Sequence, residues 1–258
     1  MSPEAQLKPA IHPAAHDRPV PAVGPAHGSR AWNLGKRAFD LVLASLLLLV
    51  LAPALALVAL LIKLDSPGPV LFRQRRLGLS MDEFTVFKFR TMRPGVSAKA
   101  HQEYIARLAN GNGTGNGHHA NGNGNGNGRM NGNGHASGNG NGELKKLTAD
   151  PRVTRVGAVL RRLSIDELPQ LLNVIGGSMS LIGPRPALDY EPQHYAPRHF
   201  ERFRVRPGLS GLWQVSGRNR LGFIEMLDLD ADYAESYGPV TDAKILLRTP
   251  VAMVRDCA

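Results

Sequence analysis

An uncharged apolar run over residues 41–62, interrupted by Pro53, constrains this chain more than any other feature of its sequence. Its 22 residues suffice to cross a bilayer core, which takes about 20 residues in a helix. Lys36 and Arg37 precede the run and Lys63 follows it. Basic residues mark the cytoplasmic flank of a membrane segment, and here both flanks are basic. A proline removes a backbone donor and kinks a helix. Together these features predict a membrane helix over residues 31–65, kinked at Pro53, that dips into one leaflet and returns. A straight span is the second reading. Either way, most of the mass, everything after Lys63, lies on one side. A secretory signal does not fit, because the run exceeds the roughly 7–15 residues of a signal core and follows a long leading segment.

The net charge of +10 implies a polyanionic neighbour: anionic head groups, phosphate-bearing substrates or nucleic acid. The sole cysteine, Cys257, leaves no intrachain disulfide to form, in keeping with a reducing compartment. Residues 1–30, rich in Pro, Ala and His, read as a disordered tail. Residues from about 109 to 142 are nearly all Asn and Gly and read as a disordered insertion, unable to bury enough apolar surface to offset its ordering entropy. His118, His119 and His135 within it read as loop decoration rather than metal ligands. The rest of 66–258 amounts to about one compact domain.

Residues 70–90 read as a β-hairpin, with Phe87 and Phe89 on one face of the return strand and Lys88 and Arg90 on the other. Val153, Val156, Val159, Leu160 and Leu163 recur at helical spacing, with Arg155, Arg161 and Arg162 toward the opposite face. A second helix is expected over 167–175, stopped by Gly176-Gly177, and a last one over 242–254. Between them the chain reads as loop-rich from Ser178 onward. The fold class is therefore α+β, mainly helical: a monotopic membrane protein with a re-entrant or spanning N-terminal helix, a small hairpin and a cytoplasmic catalytic domain.

Ser164-Ile165-Asp166-Glu167-Leu168-Pro169 is the segment that most suggests chemistry. Ser164 and Glu167 match the Ser-x-x-Glu capping box, and on spacing alone that reading leads. With Asp166 as the cap instead, Pro169 falls within the first turn, where a missing N–H costs little. In both registers Asp166 and Glu167 sit at a helix N-terminus, whose partial positive charge favours an ionised carboxylate and a bound phosphate. Such an Asp suits a nucleophile or a Mg²⁺ ligand. Arginines crowd the surrounding sequence at Arg161, Arg162, Arg185, Arg206 and Arg218, and their planar forks match phosphate oxygens. Prolines on both sides of Arg185 restrict its backbone. No Rossmann, P-loop, HExxH or paired CxxC pattern occurs, and no serine lies in a nucleophile elbow.

These segments resemble the bacterial sugar transferase family, the monotopic phosphoglycosyl transferases that act on polyprenyl phosphate. The resemblance runs through Lys36-Arg37-Ala38-Phe39-Asp40, Phe87-Lys88-Phe89-Arg90-Thr91-Met92, Asp150-Pro151-Arg152-Val153-Thr154 and the stretch 163–171. It continues through Met179-Ser180-Leu181-Ile182-Gly183-Pro184-Arg185-Pro186, Arg206-Pro207-Gly208-Leu209-Ser210-Gly211 and residues 214–219. It covers nearly everything from residue 36 onward except the Asn/Gly insertion. It is to the short form of the family, without the additional N-terminal membrane helices of larger relatives.

The resemblance implies transfer of a sugar 1-phosphate from a UDP-sugar to polyprenyl (undecaprenyl) phosphate, with UMP leaving, as the first membrane step of exopolysaccharide, capsule or glycan assembly. It makes Asp166 the nucleophile, through a phosphosugar–aspartyl intermediate, and also the contact to a Mg²⁺ cofactor. Glu167 is the second acid. Arg161 and Arg185 match phosphate-contacting positions, and Arg218, Lys88 and Arg90 join them as candidate phosphate ligands. The helix is expected to be re-entrant and bent at Pro53, in the inner membrane of a bacterium with the catalytic domain on the cytoplasmic face. Ala52 departs from the serine that often precedes this proline. Membrane lipid is an expected partner, with a second copy of the chain and downstream glycosyltransferases as further candidates. Nucleic acid is not one, because the run 41–62 has no place in a soluble binder. The competing reading is a non-catalytic membrane-anchored component of polysaccharide assembly, against which intact Asp166, Glu167 and Arg185 argue.

Overall fold

The apolar run lies inside helix α1 (Arg30–Asp65), continuous through Pro53 in the computed structural model, which describes residues 29–93 and 152–255. The expected tail and the Asn/Gly insertion lie outside the described residues, apart from Ser29 and Arg30. Ser29 caps the helix, its hydroxyl accepting from the Trp32 N–H. By length and composition α1 can cross a membrane. Around its middle, Leu49, Val50 and Leu57 are all more than half exposed, an apolar surface that water would not tolerate cheaply.

Both ends of α1, by contrast, are docked. At the first end Lys36 is buried, pairs with Asp242 at 2.5 Å and donates to the Ile182 carbonyl. Arg37 donates to the carbonyls of Val174 and Ile175, and Asp40 accepts from the Leu181 N–H. At the other end Ile62 packs with Phe89 and Leu160, and Asp65 accepts from the Val156 N–H. The basic pair before the run therefore holds the helix to the protein rather than facing head groups.

Strands β1 (Leu71–Leu77) and β2 (Glu83–Phe89) form the expected antiparallel hairpin, with Leu71 opposite Phe89. Phe87 and Phe89 share one face of the return strand and Lys88 lies on the other, as expected. Val86 and Phe89 lie on opposite faces and are both buried, because different cores cover the two faces. Helix α2 (Arg155–Arg162) is capped by Thr154. Leu160 is its buried anchor, while Val159 and Leu163, expected on the packed face, are exposed. Gly157 brings α2 against the backbone of Thr91: a Cβ there would meet the Thr91 carbonyl oxygen at 2.2 Å.

A 3₁₀ segment (Ile165–Gln170) leads directly into helix α3 (Leu171–Gly176), which ends at Gly177 in the left-handed region, φ 86°. Strand β3 (Ser180–Ile182) pairs in parallel with β4 (Gly208–Ser210). The connection between them carries two 3₁₀ segments, Pro192–His194 and Pro197–Arg204. Helices α4 (Leu212–Ser216), α5 (Phe223–Glu235) and α6 (Pro239–Arg255) complete the described chain. Helix α5 is the longest of the elements that the loop-rich reading missed, with β3, β4 and α4. Its apolar residues do recur at helical spacing, Phe223, Met226, Leu227, Ala231 and Ala234, and all are buried. The main core gathers Ala44 of α1, Val86 of β2, Leu171 and Val174 of α3, Leu181 and Ile182 of β3, Tyr233 of α5 and Ile245 of α6. The site lies over that core.

Candidate active site

The 3₁₀ segment begins after Ser164, which takes a left-handed backbone, φ 57°. Such a conformation costs a non-glycine residue on the order of 1 kcal/mol or more and persists only where surroundings enforce it. The Ser164 hydroxyl accepts from the guanidinium of Arg218 at 2.5 Å, and Arg218 is itself left-handed at φ 45°. The capping box is not formed. Ser164 makes no side-chain cap, and Glu167 instead accepts from Lys88 of β2 at 2.9 Å. Both residues are thus drawn away from the helix end by partners remote in sequence. Asp166 and Glu167 do occupy the first turn of the segment. Asp166 is the more buried, 9% exposed.

Two pockets meet at this turn. One, of about 180 Å³, is walled by Leu43 and Leu47 of α1, Leu209, Val215 and Leu246, with Glu167 and Arg218 at its polar end. The other, of about 100 Å³, presents Arg76, Lys88, Arg185 and Arg218. Glu167, Leu209, Gln214 and Arg218 line both. An apolar pocket beside the membrane-type helix thus adjoins a cationic one across a carboxylate and a guanidinium. Four cations on so small a surface suit a multiply charged anion.

Arg185 is held in the cationic pocket by a network that sequence reasoning did not find. Its guanidinium donates to Glu191 at 2.9 Å, its backbone N–H to Asp230, and its carbonyl accepts from Arg202 at 2.6 Å. Arg202 also pairs with Asp230 at 2.7 Å and donates to the Tyr195 hydroxyl, which in turn donates to Glu191. Glu191, Arg202 and Asp230 are essentially inaccessible. Burial opposes ionisation of Glu191, yet Arg185, Arg76 and Arg202 outweigh it and hold its carboxyl at about 2. Burial lowers the Arg76 guanidinium to about 10 with help from Arg185, which leaves it charged at neutral pH. Burial pushes Asp230 up to about 6 against the pull of Arg202. The signal available in the sequence was only that Arg202 lies between Phe200 and Phe203, two residues of one apolar cluster; nothing local set Glu191 or Asp230 apart.

Of the expected site residues, the structure brings Glu167, Lys88, Arg185 and Arg218 together around the cationic pocket. Arg161 lies in the last turn of α2, outside the lining of both pockets. Arg90 is a correction. Its guanidinium is buried and donates to the carbonyls of Ser66 at 2.7 Å and Pro67 at 2.5 Å, closing the end of α1 rather than facing the pockets. Arg206 donates to the Gly177 carbonyl.

Among the described residues no three His, Cys, Asp or Glu side chains gather as a ready cage for a metal ion. That donor set still fits Mg²⁺, which is bound through one or two carboxylates together with substrate phosphates and water. Glu167 offers one such carboxylate in the lining of the cationic pocket, while Asp166, its neighbour in the same turn, lines neither pocket.

Comparison with known proteins identifies the family. The family described as bacterial sugar transferase matches residues 31–256. The chain is 36% identical over 227 residues to the exopolysaccharide production protein ExoY of Rhizobium meliloti, covering 84% of each chain. It is 38% identical over 229 residues to a UDP-glucose:undecaprenyl-phosphate glucose-1-phosphate transferase of Caulobacter vibrioides, covering 85% of this chain and 69% of that one. A protein of the same name in Escherichia coli is 34% identical over 225 residues, 84% of this chain and 39% of that one. The chain belongs to the bacterial sugar transferase family.

Proposed function

We propose that this protein transfers a sugar 1-phosphate from a UDP-sugar to polyprenyl (undecaprenyl) phosphate, releasing UMP, in exopolysaccharide or related glycan assembly. The observation that carries the reading is the junction of two unlike pockets at Glu167, Gln214 and Arg218. The cationic pocket suits the diphosphate of the donor. The apolar pocket, walled in part by α1, suits the first isoprene units of the acceptor, with its phosphate toward Arg218. The relatives' names supply the chemical classes of both substrates.

In this reading a carboxylate oxygen of Asp166 attacks the sugar-bearing phosphorus, and the bond to the UMP oxygen breaks. A phosphosugar–aspartyl intermediate results. An oxygen of the acceptor phosphate then attacks the same phosphorus, expels Asp166 and forms the polyprenyl diphosphate sugar. Lys88, Arg185 and Arg218 offset the negative charge that would otherwise keep phosphate from a carboxylate. Lys88, paired with Glu167 in the structure, orients that carboxylate. Mg²⁺, held by Asp166 with Glu167 beside it, would neutralise phosphate oxygens when bound.

The docking of both ends of α1 on one body supports a helix that enters and leaves the same leaflet, with Pro53 in its exposed middle. Exposed Lys63 at the far end of the run supports a catalytic domain on the cytoplasmic face, in keeping with a bacterial inner membrane.

The test is UMP release by detergent-purified protein given polyprenyl phosphate, Mg²⁺ and a panel of UDP-sugars. Release with at least one sugar, stopped by chelator, is expected. Asp166→Asn should abolish release and leave membrane association intact. Folded protein inactive with every donor would favour the non-catalytic reading.

A further inference from the structure

Two side-chain atoms at the junction are buried without a hydrogen-bond partner among the described residues: Gln214 Oε1 and Trp213 Nε1. Both residues line the cationic pocket, and Gln214 also lines the apolar one. The orientation of the Gln214 amide is fixed, because its Nε2 donates to the Leu209 carbonyl at 3.2 Å and only the nitrogen can do so. Its oxygen is therefore the end that is left over. Leaving a buried acceptor unpaired costs free energy, and natural structures rarely retain one without a role.

The chemistry of that atom restricts what can meet it. A phosphate at neutral pH offers only acceptor oxygens toward a second acceptor, so Gln214 Oε1 is unsuited to the phosphates for which the surrounding cations are built. It needs an O–H or N–H. We infer that Gln214 reads the transferred sugar, accepting a hydrogen bond from one of its hydroxyls or from an acetamido N–H, while the donor-only indole N–H of Trp213 meets an oxygen of the same ligand. This inference rests on the proposed donor chemistry and adds a residue that contacts the transferred sugar. A site built to pair a polar group rejects the analogue lacking it more sharply than an apolar pocket rejects a methylene.

The experiment is equilibrium binding, by calorimetry on the detergent-purified full chain, of UMP and of the UDP-sugar selected by the release assay, with UDP-glucose as the first probe. Gln214→Met keeps the length of the side chain and removes the acceptor. It should weaken the UDP-sugar roughly 10-fold and leave UMP, which lacks the transferred sugar, unchanged. Gln214→Ala serves as the second variant should the first fail to fold. Among deoxy-sugar donors, one should bind wild type as weakly as the parent sugar binds Gln214→Met, with no further loss when the two changes are combined. Equal weakening of UMP and UDP-sugar, or additive losses with every deoxy donor, would overturn the assignment. Wild-type protein that binds neither UMP nor any UDP-sugar would refute the donor reading itself, and this inference with it.

Discussion

Arg185 is tied at its N–H, its carbonyl and its guanidinium, and each tie ends on a residue with almost no exposure. Such a residue keeps its fork in place before any ligand arrives, which lowers the reorganisation a charged transition state demands. Glu191 is central to that arrangement. Its folded pKa, about 2, lies below the ordinary 4.5, so the stabilisation it provides is complete above about pH 4.5 and is lost as pH falls through 2. Asp230 works in the opposite sense: raised to about 6, it costs stability as pH rises from 3.8 through 6. Glu191→Gln should therefore flatten the acid limb of the stability profile. It should also destabilise the protein by about 3–5 kcal/mol near neutral pH, because buried guanidinium groups lose their counter-charge. Thermal unfolding of detergent-solubilised protein across pH checks both, and an unchanged acid limb would place the acid transition elsewhere. The sequence pointed to Arg185 through its flanking prolines, but not to Glu191, Arg202 or Asp230. Charged residues are ordinarily solvated, and nothing local says which of them will be buried.

At the scale of elements, α1 was read almost to the residue, expected over 31–65 and found at Arg30–Asp65. Length and continuous hydrophobicity are local properties and need no partner to be recognised. The hairpin was equally legible. Helix α5 was not picked out, although its apolar residues recur at helical spacing; the burial of Asp230 on it depends on a tertiary pairing with Arg202. The capping box at Ser164 and Glu167 failed for a related reason: Arg218 and Lys88 compete for the same side chains. How α1 docks on α6 could not be read locally either, since Lys36 and Asp242 are 206 residues apart. Burial pushes the Asp242 carboxyl above its ordinary range against the pull of Lys36, and the Tyr233 hydroxyl also donates to it. Lys36→Met should leave that carboxylate without its cation and cost about 3–5 kcal/mol. A double variant with Asp242→Leu should recover part of the loss. Thermal unfolding of the two proteins decides it; equal destabilisation would mean that the pair contributes little beyond packing.

For the whole molecule the open question is what the exposed middle of α1 does in a bilayer. A cysteine placed at Arg30 and another at Lys63, each alone in a Cys257→Ser background, should react with a membrane-impermeant maleimide from the same side of sealed vesicles. Labelling from opposite sides would establish a span and exclude the re-entrant arrangement. By itself the sequence determined the membrane-type helix, the hairpin, the acidic pair and the basic character of the protein, since each depends on composition and spacing over a few turns. Only the tertiary structure decided which cations reach the site. Arg90 closes the end of α1 while Lys88, two residues earlier, faces Glu167. It likewise decided that buried carboxylates would position Arg185, and that Gln214 would stand between the two pockets. The physical reason is the same throughout. Hydrophobic length and periodicity act along the chain, whereas desolvation and charge pairing depend on groups that meet only when the chain has folded.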